Sequence, residues 1–395
     1  MGRSIAWFFV VGSLHCADPS EVSLRSRIET VLREELQATG VASLQVAVAF
    51  GNNSVIEAAV GYADLENRVP AAPSTRYRSA SISKWFTATA TMKLASQGKL
   101  DLDATVQSYC DDFPNKGAPI TVRQLLTHRS GLRHYVDYAA LLERAESEAD
   151  KQVIERRSLR SKAGACTRYV DRVTPLENFK DDPLESRPGT AWRYTSFGYR
   201  LLGCVLESAS GANYSLLMEQ EVFSPAKMRH TVADDAWAII ESRASGYRVK
   251  RDGTIRRADM RDVSENLPAG GHLTTATDLV SFAVAFHRGE LVDTQTRGTM
   301  IDGLSYELGD APSYDSWRLA VPAEPRYAYG VMSFPNENDP WYGHTGRQAG
   351  GSGIVVLVPD KNLAVAALTN TKGWNGYLDL TRKLVELVGN ETGSP

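Results

Sequence analysis

The chain has 395 residues, enough for two or three structural units. An apolar content of 43% and a charged content of 23% are those of an ordinary folded protein, and a net charge of −3 excludes the basic field that nucleic acid requires. The seven histidines (15, 128, 134, 230, 272, 287, 344) show no H-E-x-x-H or H-x-H spacing, and the four cysteines (16, 110, 166, 204) form no C-x-x-C. A protein-held catalytic metal is therefore not expected, and no cofactor is implied. The cysteines are too scattered for a disulfide scaffold, although one bridge among Cys110, Cys166 and Cys204 stays open.

Residues 1–17 read as an export signal. Arg3 precedes an apolar run, residues 5–14, that is too short to span a bilayer, and residues 14–17 form the cleavage region. This implies a periplasmic or secreted protein with no membrane span once the signal is removed. A mitochondrial presequence is the alternative. Residues 21–39 then form an amphipathic helix, with Ile28, Val31, Leu32 and Leu36 on one face and Gly40 at its end. Two strand-like runs, 43–49 and 54–61, follow as a hairpin through Gly51-Asn52-Asn53.

In residues 76–94 an extended segment passes into a helix, with Ser81 and Lys84 one turn apart. A serine there lies beside free backbone N–H groups and the positive end of the helix dipole. An amine within reach of a hydroxyl is the arrangement of a serine nucleophile activated by lysine. Thr121 caps a short helix reaching His128, whose expected role is structural. Residues 141–162 carry both charge signs densely, and the surrounding insertion (138–180) reads as a solvated helix, with partner docking as the alternative.

Tyr194 sits just ahead of a helix over residues 197–210, which Gly211 closes. Ala269-Gly270-Gly271-His272 bends ahead of another helix, and His272 also reads as structural. Residues 327–333, the Tyr342-Gly343-His344-Thr345-Gly346 run, 352–358 and 363–369 are strands, and residues 377–388 are a final helix. The economical fold is α+β. One antiparallel sheet is built from both ends of the chain (about 21–75 and 325–388), flanked by N- and C-terminal helices. A mostly helical region (76–324) is inserted, and a cleft lies at the junction.

Ser81-Ile82-Ser83-Lys84, Tyr194-Thr195-Ser196 and His344-Thr345-Gly346 stand in an order that resembles the serine β-lactamase and penicillin-binding protein superfamily, in its class C-like branch. Residues 125–132, Ala269-Gly270-Gly271 and Leu368-Thr369-Asn370 are similar to further landmarks, over about residues 28–388. Residues 179–184 and 193–199 look closest to mitochondrial serine β-lactamase-like members and their bacterial relatives. The resemblance implies a β-lactamase/transpeptidase-like fold and an acyl-enzyme on Ser81, with Lys84 as base and Tyr194 in the proton traffic. It implies an oxyanion hole from the N–H groups of Ser81 and Arg347. Ser196, His344, Thr345, Gly346 and Arg347 become the substrate-binding set.

Two departures stand out: Ser196 where many penicillin-recognising members carry Asn, and His344 where β-lactamases usually carry Lys. A serine offers one hydroxyl in place of a paired amide, and an imidazole is mostly neutral at pH 7. The expectation is a serine hydrolase with peptidase-type activity on a small-molecule or peptide substrate. β-Lactamase, D-Ala carboxypeptidase or esterase activity is the alternative, and self-assembly into a scaffold with little catalysis is the reading from another class.

Overall fold

The computed structural model describes residues 19–392 apart from 52–53, 137, 251, 303–305, 308–325 and 335–340. The expected signal peptide and the tip of the first hairpin lie outside the described residues. The first helix, Pro19–Thr39, leads into the strands Ser43–Phe50 and Ser54–Asp64. These pair with the C-terminal strands in one antiparallel sheet, nine strands wide among the described residues. From one edge the order is Val69–Pro70, Ser54–Asp64, Ser43–Phe50, Leu363–Thr369, Gly351–Val358, Trp341–Gln348, Met332–Phe334, Arg326–Tyr327 and Tyr306–Glu307. The first strand thus pairs with the last long one, Gln45 facing Leu368 and Phe50 facing Leu363.

The two-residue period of the strands sorts their side chains into two cores. Val46, Val48, Ile354, Val356, Val365 and Ala367 meet the N- and C-terminal helices, the latter being Tyr377–Thr392. Ala47, Ala49, Val355, Leu357, Ala364 and Ala366 face the helical region. There the helix Ala276–His287 lies directly on the central strands. Small alanines on that face let the helix approach closely.

The helix Ser83–Ser96 runs through the second core and is buried nearly all round. Trp85 packs edge-on against Phe282 and Phe286, with ring centres 4.9 and 5.1 Å away. Its buried threonines, 87, 89 and 91, return their hydroxyls to the carbonyls of Ser83, Trp85 and Thr87 at 3.0, 2.9 and 2.7 Å. No polar group is thereby left unsatisfied at those positions. Cys110 and Cys204 are bridged across a separation of 94 residues, and Cys166 is free and exposed. The sequence left that pairing open.

One strand differs from its sequence reading. The run 327–333 is two short strands, Arg326–Tyr327 and Met332–Phe334, broken at Gly330. Gly330 has φ +76°, and a Cβ there would stand 2.3 Å from the Ala88 methyl. The chain reverses here: the two strands pair antiparallel as neighbours in the sheet, Tyr327 facing Met332, and the turn between them presses against the helix Ser83–Ser96.

Candidate active site

The segment before Ser81 is held as a short strand. Tyr77 and Arg78 pair with Thr274 and Leu273, and the Ser79 N–H donates to the His272 carbonyl at 2.9 Å. Ala80 then takes φ +47°, unusual for a residue with a side chain, and throws Ser81 into a 3₁₀ turn (Ala80–Ile82) ahead of the helix. The turn is pinned underneath. Ser79 Oγ lies 2.8 Å from Ser83 Oγ, and His272 Nδ1 lies 3.0 Å from the same hydroxyl. His272 is fully enclosed and serves this turn.

Lys84 Nζ lies 3.1 Å from Ser81 Oγ, 3.2 Å from Ser196 Oγ and 2.8 Å from the Ala269 carbonyl. These partners come from three distant parts of the chain. The lysine is completely buried, and burial, with a smaller contribution from the Arg200 guanidinium, pushes its pKa well below that of a free lysine. A neutral amine has two N–H donors and one lone pair. The Ala269 carbonyl can only accept, so it takes one donor, Ser196 Oγ can take the second, and the lone pair is left for the Ser81 hydroxyl.

Tyr194 is positioned by the loop after the helix Val122–Leu126. The His128 carbonyl accepts from Arg193 N–H at 2.8 Å, and His128 Nδ1 accepts from Thr195 N–H at 3.2 Å. One histidine thus brackets the tyrosine on both sides, its ring 4.3 Å from the Tyr194 ring. His134 Nδ1 accepts from Ser196 N–H at 3.1 Å, and Thr195 Oγ1 donates to the Arg133 carbonyl at 2.6 Å. Lys84 Nζ stands 4.9 Å over the Tyr194 ring. Burial is the first cause that keeps His128 and His134 neutral, the latter near pKa 3. Sequence reading missed these supports. Their one signal was two histidines in the segment 125–134.

The strand Trp341–Gln348 forms the opposite wall. Met332–Phe334 reaches only Trp341, Tyr342 and Gly343 of this strand, so residues 344–348 have a described sheet partner on one side alone. That open edge runs along the turn Ala80–Ile82 that carries Ser81. A Cβ on Gly346 would stand 2.3 Å from the Ser79 carbonyl and 3.2 Å from the Ser81 nitrogen, so only glycine permits the approach.

Ser81, Tyr194, Ser196, Thr345 and Arg347 line one cavity of about 680 Å³. His344 does not. Its ring is fully buried on the helical side of the sheet, Nδ1 donates to the Thr345 carbonyl at 2.5 Å, and Tyr327 packs edge-on at 5.8 Å. Burial lowers its pKa to about 3. The strand alternation that puts Thr345 on one face sends His344 to the other. The charged insertion forms a mostly exposed helix whose end reaches the site. Its helix, Glu148–Gly164, is capped by Ser147, and Ser161, Lys162, Ala165 and Cys166 at its end line the same cavity. Among the described residues no cluster of His, Cys, Asp or Glu could hold a metal ion. No described helix is long and apolar enough to cross a membrane.

A buried lysine between two serines, a tyrosine bracketed beside it and an open strand edge opposite stand together at the head of the helix Ser83–Ser96. Residues 28–390 match the Beta-lactamase family, and the chain belongs to that family of β-lactamase-fold serine hydrolases. It is similar to the mitochondrial serine beta-lactamase-like protein LACTB of Homo sapiens, at 33% identity over 84% of this chain and 70% of that protein. Protein flp of Staphylococcus aureus (strain MW2) is 21% identical over 88% of this chain and 63% of its own length. Among solved structures, the D-amino acid amidase of Ochrobactrum anthropi SV3 superposes with a TM-score of 0.74 at 22% identity, covering 94% of this chain and 99% of that one. The octameric penicillin-binding protein homologue of Pyrococcus abyssi superposes with a TM-score of 0.71 at 23% identity, covering 92% and 77%.

Proposed function

We propose that the chain hydrolyses an amide or ester, with peptidase-type activity favoured, through an acyl-enzyme on Ser81. The observation that carries the reading is the environment of Lys84. Buried, pushed toward neutrality and held by the Ala269 carbonyl and two serine hydroxyls, it is prepared to take the Ser81 proton. Ser81 Oγ attacks the carbonyl carbon as its proton passes to Nζ. The developing oxyanion falls between the Ser81 and Arg347 N–H groups, on the two elements that Gly346 brings together. Tyr194 relays a proton to the leaving nitrogen or oxygen, which departs as the C–N or C–O bond breaks. Water then attacks the ester carbonyl by the reverse relay, releasing the acid and restoring Ser81.

The amidase neighbour in fold space supports amide chemistry by analogy. β-Lactam turnover is expected to be weak. The residue in the position of the usual lysine is a buried, neutral imidazole that supplies no positive charge to a carboxylate. The test is labelling by an activated aryl phosphonate with the site mapped by mass spectrometry. A panel of peptide, ester and β-lactam substrates is run in parallel on wild type and Ser81→Ala. Adduct on Ser81 and loss of turnover in the alanine variant are expected, whereas full activity of Ser81→Ala on the best substrate refutes the nucleophile.

A further inference from the structure

Arg200 lies one helical turn beyond Ser196 on the helix Ser196–Ser210, on the same face. Its Nη1 and Nη2 donate to the two Glu265 carboxylate oxygens at 3.1 and 2.9 Å, and its Nε donates to Asn266 Oδ1 at 3.1 Å. Nη2 also donates to the Tyr135 hydroxyl at 2.8 Å. The Arg200 and Glu265 side chains are only 2% and 6% exposed. A buried ion pair is a poor source of stability, because the loss of hydration of both charges offsets their attraction. Holding the fold together therefore does not account for this cluster.

Its partners sit on the elements that hold Lys84. Glu265 and Asn266 belong to the turn Ser264–Asn266, which runs straight into the short helix Leu267–Gly270, and the Ala269 carbonyl of that helix accepts from Lys84 Nζ. Tyr135 follows His134, whose ring accepts from the Ser196 N–H, and Ser196 Oγ is the second partner of Nζ. Arg200 thus joins the segments that carry two of the three groups around the amine. It reaches the third through Asn266. A Cβ on Gly270 would stand 2.8 Å from Asn266 Nδ2 and 3.3 Å from the Ala80 carbonyl carbon, so the amide meets the turn that carries Ser81 across a gap that glycine leaves open. The other titratable groups that interact with Lys84 are His128, His134 and His344, and the rings of Tyr194 and Tyr199 at 4.9 and 5.8 Å. Burial keeps the three imidazoles neutral, which leaves Arg200 as the permanent charge facing the amine.

We propose that Arg200, held by Glu265 and Asn266, is a positioning residue for Lys84, fixing the helix that bears Ser196 and the segment that bears Ala269 at the separation that leaves the Nζ lone pair aimed at Ser81. This rests on the serine-hydrolase reading and adds to it a residue that acts only through others. The planar fork of the guanidinium suits the task, since it meets a carboxylate and an amide oxygen in fixed directions at once. Its charge also adds to burial in disfavouring the protonated amine.

The test follows the rate of Ser81 labelling by an activated aryl phosphonate across pH, with urea melts alongside. Arg200→Met/Glu265→Leu replaces the pair by apolar groups of similar size, a change that commonly leaves stability unchanged or higher. Its plateau rate is expected to fall about tenfold or more. Its acid limb is expected to move to higher pH, because labelling needs neutral Lys84 and the amine no longer feels the repulsion of Arg200. Arg200→Lys keeps a cation but lacks the fork, so its limb is expected to stay with wild type while its plateau falls. A merely structural cluster predicts the reverse pattern, with lower stability and an unchanged pH profile in the protein that remains folded. A double variant that folds and labels within about threefold of wild type at every pH overturns the positioning role. Failure of both variants to fold overturns it too, by assigning the cluster to the fold alone. Absence of Ser81 labelling in wild type refutes the nucleophile instead.

Discussion

The closest contact in the site gives the sharpest prediction. Gly346→Ala places a methyl 2.3 Å from the Ser79 carbonyl oxygen, 3.1 Å from the Ala80 methyl and 3.2 Å from the Ser81 nitrogen. Two of those three neighbours are backbone atoms of the nucleophile turn, which is fixed by its pairing to the His272–Thr274 strand, so no side-chain rotation relieves the clash. An ordinary carbon–oxygen contact requires the strand and the turn to separate by roughly 1 Å. That distance lies between the two proposed oxyanion donors. A displacement of about 1 Å costs on the order of a hundredfold in rate, and loss of one oxyanion donor costs about 10²–10³. Overpacking itself costs about 1–3 kcal/mol of stability. The assay is the second-order rate of phosphonate labelling of Ser81, with thermal unfolding alongside. Gly298→Ala is the control. Nothing lies within 4 Å of its Cβ position, its φ is ordinary, and it sits inside the helix Thr294–Asp302, so it is expected to be neutral or to stabilise by up to about 1 kcal/mol. A folded Gly346→Ala protein that labels within threefold of wild type refutes the argument.

Lys84→Met is expected to slow labelling of Ser81 by about 10²–10⁴. Ser196→Ala removes one of three Nζ partners and is expected to cost about 1 kcal/mol, roughly fivefold in rate. Equal losses in the two variants would contradict the assignment of the base. Reduction of the Cys110–Cys204 bridge, or Cys204→Ala, is expected to lower stability by about 2–5 kcal/mol because the loop it closes is long. Urea melts with and without reductant measure this, and coincident melts count against it. His134, His272 and His344 are held neutral near pKa 3, mainly by burial, against 6.5 for a free imidazole. The unfolded chain binds their protons first, so stability is fully present above about pH 6.5 and falls as the pH drops toward 3. Each contributes a slope approaching about 1.4 kcal/mol per pH unit in that window. Urea unfolding from pH 7 to pH 4 reads the slope, and a flat profile refutes the buried-neutral assignment.

Much of the fold was legible because local chemistry and global structure agree. The apolar, turn-bounded runs 43–49, 352–358 and 363–369 marked strands, and Gly40 and Gly211 marked helix ends. The serine–lysine spacing placed both groups on one helical turn without knowledge of any other element. What escaped were contacts whose partners are remote. Nothing in the segment 125–134 states that His128 embraces Tyr194 and His134 holds Ser196, more than sixty residues later. Similarly, the charged insertion looked like exposed surface because its composition reports solvation, and composition cannot say that one end of a helix closes a cavity.

The sequence by itself determined the chemistry in reserve: a serine and a lysine at helical spacing, a tyrosine ahead of a helix, and a glycine after a histidine and a threonine in a strand. Helical geometry and strand alternation are local, so these followed from order alone. Only the tertiary structure decided what that chemistry can do. It brought Ala269 and Ser196 to Lys84 and buried the amine until its charge became unfavourable. It chose Cys204 as the partner of Cys110, and it turned His344 away from the cavity while Thr345 and Arg347 stayed on its wall. Burial and dielectric are properties of the packed whole, and they set the pKa of a side chain whose identity the sequence had already supplied.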